Sequence, residues 1–278
     1  MKIILSHDID HITVWEHLPK DLILPKFIIR AHVELFSGKI LLTEYFNRYG
    51  DFLQNRWHKV DELIEFNKSK NIKSTFFIGV NNGLGLSYPI SLVKPLMERI
   101  IDNQFEIGIH GIDFDSLEKM KVEYDIFKSL CELPSFGIRM HYLRINENTD
   151  TYLDQLGYLY DASEQGFKEP YKIGNMWKFP LQMMDAWAIN LNKRWQVNNL
   201  KQAQAETLRI IDKANEMKLD YFSILFHDRY FSNSFKTWKN WYIWLVDYLI
   251  ENNYEFITYE QAIKELEEKN TFSLDSLK

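Results

Sequence analysis

The sequence predicts an α/β fold in which mainly parallel strands alternate with helices as a (β/α) barrel. Short apolar runs recur along the 278 residues, and several break abruptly into a chemically capable residue. Stretches with helical spacing lie between those runs. Strands alternating with helices imply βαβ units and a parallel sheet. Reactive residues at the C-terminal ends of many strands are what a barrel uses, because its active site is built there. An open doubly wound sheet gathers its site at one switch point, and no Gly-rich phosphate loop follows the first run here.

The first run, residues 3–5, opens into Ser6, His7, Asp8 and Asp10. Side chains two apart on a strand share a face. Asp8 and Asp10 therefore face one cavity, and His7 points away, to support the site or to pack in the core. Two carboxylates held together resist joint ionisation unless a cation or a proton lies between them. A divalent metal, with one carboxylate as ligand and the other as base, resolves that conflict.

Residues 12–56 are long for one connection and carry Trp15, Phe27, Phe36, Tyr45, Phe46 and Phe52, too apolar for disorder. They read as a mostly helical insertion over one side of the barrel mouth, as extra core first and as a lid or substrate platform second. Trp57, Val60, Leu63 and Ile64 follow helical spacing. The run 105–109 leads to His110. Leu117, Met120, Tyr124 and Phe127 mark the next helix, and Asp115 with Glu118 three residues on forms a capping-box pattern. The run 136–138 leads to Arg139, His141 and Arg144, and 158–160 leads to Asp161. A run from 179 ends at Asp185. A helix over Leu200, Ala203, Thr207, Ile210 and Ala214 precedes the run 221–226, which leads to His227. Trp238, Trp241, Leu245 and Leu249 read as a core-facing final helix. Charge rises from Lys264 onward, and the last residues should fray. His17, His32 and His58 lack a partner pattern and read as structural.

A net charge of −6 without a basic stripe excludes an ordinary nucleic-acid partner. The single cysteine, Cys131, permits no intramolecular disulfide and reads as a small buried residue. No run of about 20 apolar residues offers a membrane span. With no signal-like segment in view, the expectation is one cytoplasmic barrel domain over 1–278.

Taken in order, Asp8-Ile9-Asp10, Ser74-Thr75-Phe76-Phe77, Glu106-Ile107-Gly108-Ile109-His110, Gly137-Ile138-Arg139-Met140-His141-Tyr142, Tyr160-Asp161 and Leu225-Phe226-His227 resemble the NodB-homology polysaccharide deacetylases, carbohydrate esterase family four. The resemblance spans roughly residues 1–257. It is closest to the subgroup of bacterial surface-polysaccharide (O-antigen) biosynthesis, which also shows an HDxD start and an R-x-H-Y-L-R segment. It implies a distorted (β/α)7 barrel, a divalent metal such as zinc, and hydrolysis of an N-acetylated sugar or glycan precursor. Asp8 matches the catalytic base, Asp10 and His110 match metal ligands, Arg139 matches the residue that orients the base, and His227 matches the general acid. Asp161 lies near the position of the Asp that pairs with that His.

Two departures stand out. Phe114 occupies the position of the second metal-binding His, and His141 replaces a Pro. The third ligand is then His141, Asp113 or Asp115, each with a plainer role open to it: substrate hydrogen bonding, solvation and helix capping. Tyr142, Arg144 and Asp185 are candidates for binding substrate, and Asp185 could instead pair with His227. The alternatives are a barrel that kept the fold without turnover and binds a glycan or scaffolds a complex, and a related hydrolase of a small non-sugar amide.

Overall fold

The computed structural model describes residues 1–18, 20–190 and 199–275. Ten strands form one curled sheet: β1 (Lys2–Ile9), β2 (Thr75–Ile78), β3 (Glu106–Gly111), β4 (Ile138–Met140), β5 (Tyr160–Asp161), β6 (Tyr171–Ile173), β7 (Met176–Lys178), β8 (Leu181–Met184), β9 (Tyr221–Leu225) and β10 (Glu255–Ile257). The order is β6-β7-β5-β4-β3-β2-β1-β9-β8, and every pairing is parallel except β6 with β7. A parallel bridge between Gln165 and Leu181 joins the chain after β5 to β8. Backbone bonds there, Leu181 N–H to Glu164 at 2.7 Å and Gly166 N–H to Leu181 at 3.2 Å, close the ring. The closed path runs β1, β2, β3, β4, β5, β8 and β9, a distorted (β/α)7 barrel. The β6–β7 hairpin hangs off β5, and β10 flanks the first half of β1.

The central strands are buried on both faces, as parallel strands covered by helices must be. In β1 the residues from Ile3 to Ile9 are all buried. Ile4 joins the inner cluster with Phe77, Tyr160 and Tyr259, whereas Ile3, Leu5 and Ile9 join the outer layer. The inward set therefore continues through Ser6, Asp8 and Asp10. His7 faces outward, donating from Nδ1 to the Phe226 carbonyl at 3.0 Å and accepting from Asn67 at 3.2 Å. Burial lowers its pKa to about 4, so it is a neutral core imidazole.

The helices are α1 (Ile23–Phe36), α2 (Leu42–Gln54), α3 (Val60–Ser69), α4 (Val93–Asp102), α5 (Leu117–Cys131), α6 (Thr149–Leu156), α7 (Asp185–Asn190), α8 (Leu200–Glu216), α9 (Lys236–Glu251) and α10 (Tyr259–Asp275). Two expectations change. The cap of α5 is Ser116, whose side chain accepts from the Lys119 N–H at 3.4 Å, while Asp115 is exposed outside the helix. The helix that carries Trp238, Trp241, Leu245 and Leu249, α9, buries that stripe as expected but is not the final one, because β10 and α10 follow it. The expected fraying of the last residues falls partly on 276–278, outside the described residues.

Between β1 and α3 the chain leaves the barrel and returns. Asn55 Oδ1 accepts from the Val14 and Trp15 N–H groups at 3.1 and 2.9 Å, which pins the two ends together. α1 and α2 fill this excursion. α2 is anchored to the chain after β9, where Arg48 Nε donates to the Ser234 carbonyl at 3.0 Å and Glu44 accepts from the Lys236 N–H at 3.0 Å.

Candidate active site

Asp8 and Asp10 leave the C-terminal end of β1 on the inner side. Arg139, on β4 and fully buried, reaches Asp8 with Nη1 at 2.9 Å and also donates to Ser6 Oγ at 2.8 Å. Its Nη2 donates to Tyr259 Oη at 2.7 Å, its Nε to the Ala162 carbonyl at 3.1 Å, and the guanidinium lies 4.4 Å from the Phe77 ring centroid. With so many fixed partners, Arg139 holds Asp8 in one geometry.

His110 ends β3 and faces Arg139 in register on β4. His141 follows β4 in a turn where Tyr142 and Leu143 have φ of 59° and 54°. Two adjacent side-chain-bearing residues in this region cost about 1–3 kcal/mol each and persist where the surroundings require them. The turn sets His141 Nδ1 at 2.9 Å from His110 Nε2. Asp10 Oδ1 stands 3.2 Å from His110 Nε2 and 3.4 Å from His141 Nδ1. That oxygen is buried and has no hydrogen-bond partner among the described residues.

Three donor atoms in a triangle with edges of 2.9, 3.2 and 3.4 Å suit a tetrahedral ion. Bonds of about 2.0–2.1 Å imply ligand separations of about 3.3 Å. The outer ring nitrogens are fixed too: His110 Nδ1 donates to the Arg139 carbonyl at 3.1 Å and His141 Nε2 to the Leu84 carbonyl at 3.4 Å. With their protons on those outer nitrogens, both imidazoles would present a lone pair toward Asp10 to an ion bound there. Burial works against the Asp10 carboxylate, yet the two imidazoles hold its pKa well below the usual range. The donor set fits a divalent metal.

His227 follows β9. Its backbone N–H donates to Asp185 Oδ2 at 2.7 Å, and its Nδ1 meets the same carboxylate at 3.0 Å. Nε2 is directed toward the site, 3.9 Å from Asp10 Oδ2. Burial opposes the imidazolium, but Asp185, with Asp10 and Asp8 beyond it, holds the pKa well above the ordinary histidine value.

The geometry thus gathers Asp8, Asp10, His110, Arg139, His141 and His227. Asp161 corrects the sequence expectation: it does not meet His227. It lies beside Lys178 on β7, accepts from that ammonium at 2.5 Å and from the Ser163 N–H at 3.0 Å. Asp185, offered by the sequence either as a substrate contact or as the partner of His227, stands beside His227 because β8 pairs with β9 there. Arg144 stacks over Phe114 at 4.7 Å and donates to the Ile112 and His141 carbonyls at 2.5 and 3.3 Å, so it pins the His141 turn. Tyr142 stays exposed at the mouth. Of the other ligand candidates, Asp113 accepts from Asn81 at 2.9 Å and Asp115 is exposed. Sequence reasoning missed Tyr259 and Lys178, which lack any local signal because their partners lie far away in the chain.

No family profile and no curated protein matches this chain. Solved structures do match in fold. A protein from Mycobacterium smegmatis assigned to the polysaccharide deacetylases aligns with a TM-score of 0.64 at 13% identity, over 97% of this chain and 91% of its own. The Puue allantoinase aligns with a TM-score of 0.59 at 14% identity, over 94% and 87%. A carbohydrate esterase family four pseudoenzyme from Bacillus anthracis aligns with a TM-score of 0.50 at 9% identity, over 94% and 64%. The chain has the fold of the polysaccharide deacetylases. These neighbours differ in activity on one fold, so function has to be argued from the site.

Proposed function

We propose that the protein is a metal-dependent N-deacetylase acting on an N-acetylated sugar in bacterial surface-polysaccharide biosynthesis. The observation that carries this reading is the convergence of Asp10, His110 and His141 on one point, beside Asp8 held by Arg139 and His227 held by Asp185.

Hydrolysing an acetamide needs a deprotonated water, a stabilised oxyanion and a protonated leaving amine. A divalent metal, zinc by the donor set, held by Asp10, His110 and His141 would lower the pKa of a water and polarise the amide carbonyl. Asp8 takes the proton of the attacking water, and the Arg139 guanidinium, paired with it at 2.9 Å, keeps it aimed. His227 starts as the imidazolium and gives its Nε2 proton to the departing amine. Asp185 on Nδ1 fixes that orientation. His141 supplies from β4 the nitrogen that Phe114 cannot, and Phe114 serves as the platform for Arg144. Tyr142 at the mouth is a surface for the sugar ring. The biosynthetic setting rests on the segment Arg139-Met140-His141-Tyr142-Leu143-Arg144 and its resemblance to the surface-polysaccharide subgroup.

Acetate release from a panel of N-acetylhexosamines and their activated forms tests the reading. Turnover that depends on added metal and disappears in Asp8→Asn supports it. Turnover only on polymeric chitin or peptidoglycan would overturn the biosynthetic setting. Metal binding with no turnover on any substrate would favour a glycan-binding barrel.

A further inference from the structure

Four cationic side chains, Lys26, Arg30, Arg48 and Arg229, line one pocket of about 170 Å³ beside the candidate active site. Like charges gathered this closely repel unless anions balance them. The carboxylates at hand fall short. Glu34 is shared, at 2.7 Å from Arg30 and 2.7 Å from Arg48. Asp51 acts on Arg229 but also lies 3.6 Å from Lys59. Counting only Glu34 and Asp51, four cations against two acids leave a surplus of two positive charges.

The donors are also incompletely used. Arg48 is fully buried, and among the described residues its Nη2 has no hydrogen-bond partner. Arg229 Nε is buried and likewise unpartnered. Both guanidinium groups are fixed by aromatic faces: Arg229 lies 3.8 Å from the Trp57 centroid and Arg48 4.8 Å from that of Phe235. Rigid planar donors with N–H groups to spare match an anion with several oxygens, and phosphate above all.

The pocket adjoins the chemistry. Tyr230 lines it, and the same ring stands 6.0 Å from the His227 imidazole. Trp57, beneath Arg229, touches the ring of His11 at 5.3 Å, next to Asp10. We infer that this pocket binds the phosphate of a glycosyl diphosphate while the sugar lies in the barrel mouth. This deepens the deacetylase reading, on which it rests, by naming its substrate class. In a 2-acetamido sugar the amide and the anomeric phosphate sit on neighbouring ring carbons, so a substrate of this class carries its phosphate next to the reacting group.

The diphosphate has two possible carriers, a nucleoside or a polyprenyl lipid. The face of α1 that holds Lys26 also exposes Leu22 (65%), Ile29 (62%) and Phe36 (85%). Apolar side chains massed on one surface mark an interaction site. The exposed and half-buried charge on this insertion is mostly cationic, Lys20, Lys26, Arg30, Lys39 and Arg56 against Asp21 and Asp51, whereas Glu16, Glu34 and Glu44 are buried. A lipid carrier explains both features.

Calorimetric titration with inorganic diphosphate tests the pocket, using the metal-loaded protein at low and high salt. The folded wild type should bind, more weakly as salt rises. Lys26→Glu and Arg30→Gln should each weaken binding about tenfold or more, the worth of a charged hydrogen bond. His110→Ala should leave binding intact, which separates the pocket from the metal centre. Melting curves establish that each variant folds. No binding by the wild type, or equal binding by the pocket variants, overturns the proposal. A second arm compares a nucleoside-diphosphate N-acetylhexosamine with a short prenyl-diphosphate N-acetylhexosamine. Tighter binding of the prenyl form, lost in Phe36→Glu, supports the lipid carrier, and preference for the nucleotide overturns it. Diphosphate binding without acetate release from either sugar would sink the deacetylase reading alone. Acetate release without diphosphate binding would sink the pocket alone.

Discussion

Replacing Asp185 by Asn separates the charge of the His227 pair from its shape. The side chain keeps its size and can still accept a hydrogen bond from the backbone N–H of His227, which now reaches Asp185 Oδ2 at 2.7 Å. What disappears is the negative charge 3.0 Å from Nδ1. Asp185 raises the pKa of His227 against the effect of burial, so its loss lowers that pKa. A charged hydrogen bond is worth about 1.5–3 kcal/mol, and one pKa unit corresponds to about 1.4 kcal/mol. The shift is then about 1–2 units downward. His227 acts as an acid and is competent only when protonated, so kcat/KM is lost as pH rises through its pKa. In Asp185→Asn that alkaline fall should begin about 1–2 pH units earlier. The assay is acetate release across the neutral and alkaline range. Asp161→Asn is the control. It leaves the buried Lys178 with Asp150 alone, which should lower the melting temperature without moving the alkaline limb. An unmoved limb in Asp185→Asn, or an equal move in Asp161→Asn, would refute the assignment of the pair.

Other outcomes follow from the same geometry. Asp8→Asn should cost about 10²–10⁴-fold in kcat with the fold retained, the usual worth of a positioned base, read by acetate release and circular dichroism. Arg139→Met leaves the buried Asp8 carboxylate uncompensated and should destabilise the protein by about 3–5 kcal/mol, measured by urea unfolding. Gly137→Ala should destabilise by at least about 1–3 kcal/mol, because a Cβ there would lie 2.2 Å from the Tyr160 ring, which stacks on Tyr259. A melting temperature equal to wild type would contradict that packing.

The barrel was legible because its strands are covered on both faces and therefore read as short apolar runs. The site was legible where a run ends in a polar residue, as at Asp8, His110 and His227. The period of two on β1 placed Asp8 and Asp10 on the inner side and His7 on the outer side before any contact was known. What the sequence could not supply was lateral order. Asp185 meets His227 because Met184 and Leu225 are in register, and Asp161 meets Lys178 because β7 lies beside β5. Those neighbours are 42 and 17 residues apart, with nothing local to mark them. The same limit left His141, Asp113 and Asp115 open as ligands. The register of His110 with Arg139 brings the turn after β4 to His110, and only that adjacency separates the three. The charge of Arg144 was visible in the sequence, and its partners, two backbone carbonyls and a ring, were not.

Whether His141 completes a metal site with Asp10 and His110 is the question on which the catalytic account turns. Zinc X-ray absorption, combined with metal-content analysis, addresses it directly. The account predicts one zinc per chain, bound by two imidazoles and oxygen, with one imidazole lost and affinity reduced in His141→Ala, while Asp113→Ala and Asp115→Ala match wild type. An unchanged spectrum in His141→Ala, or a folded protein that takes up no zinc, would contradict it.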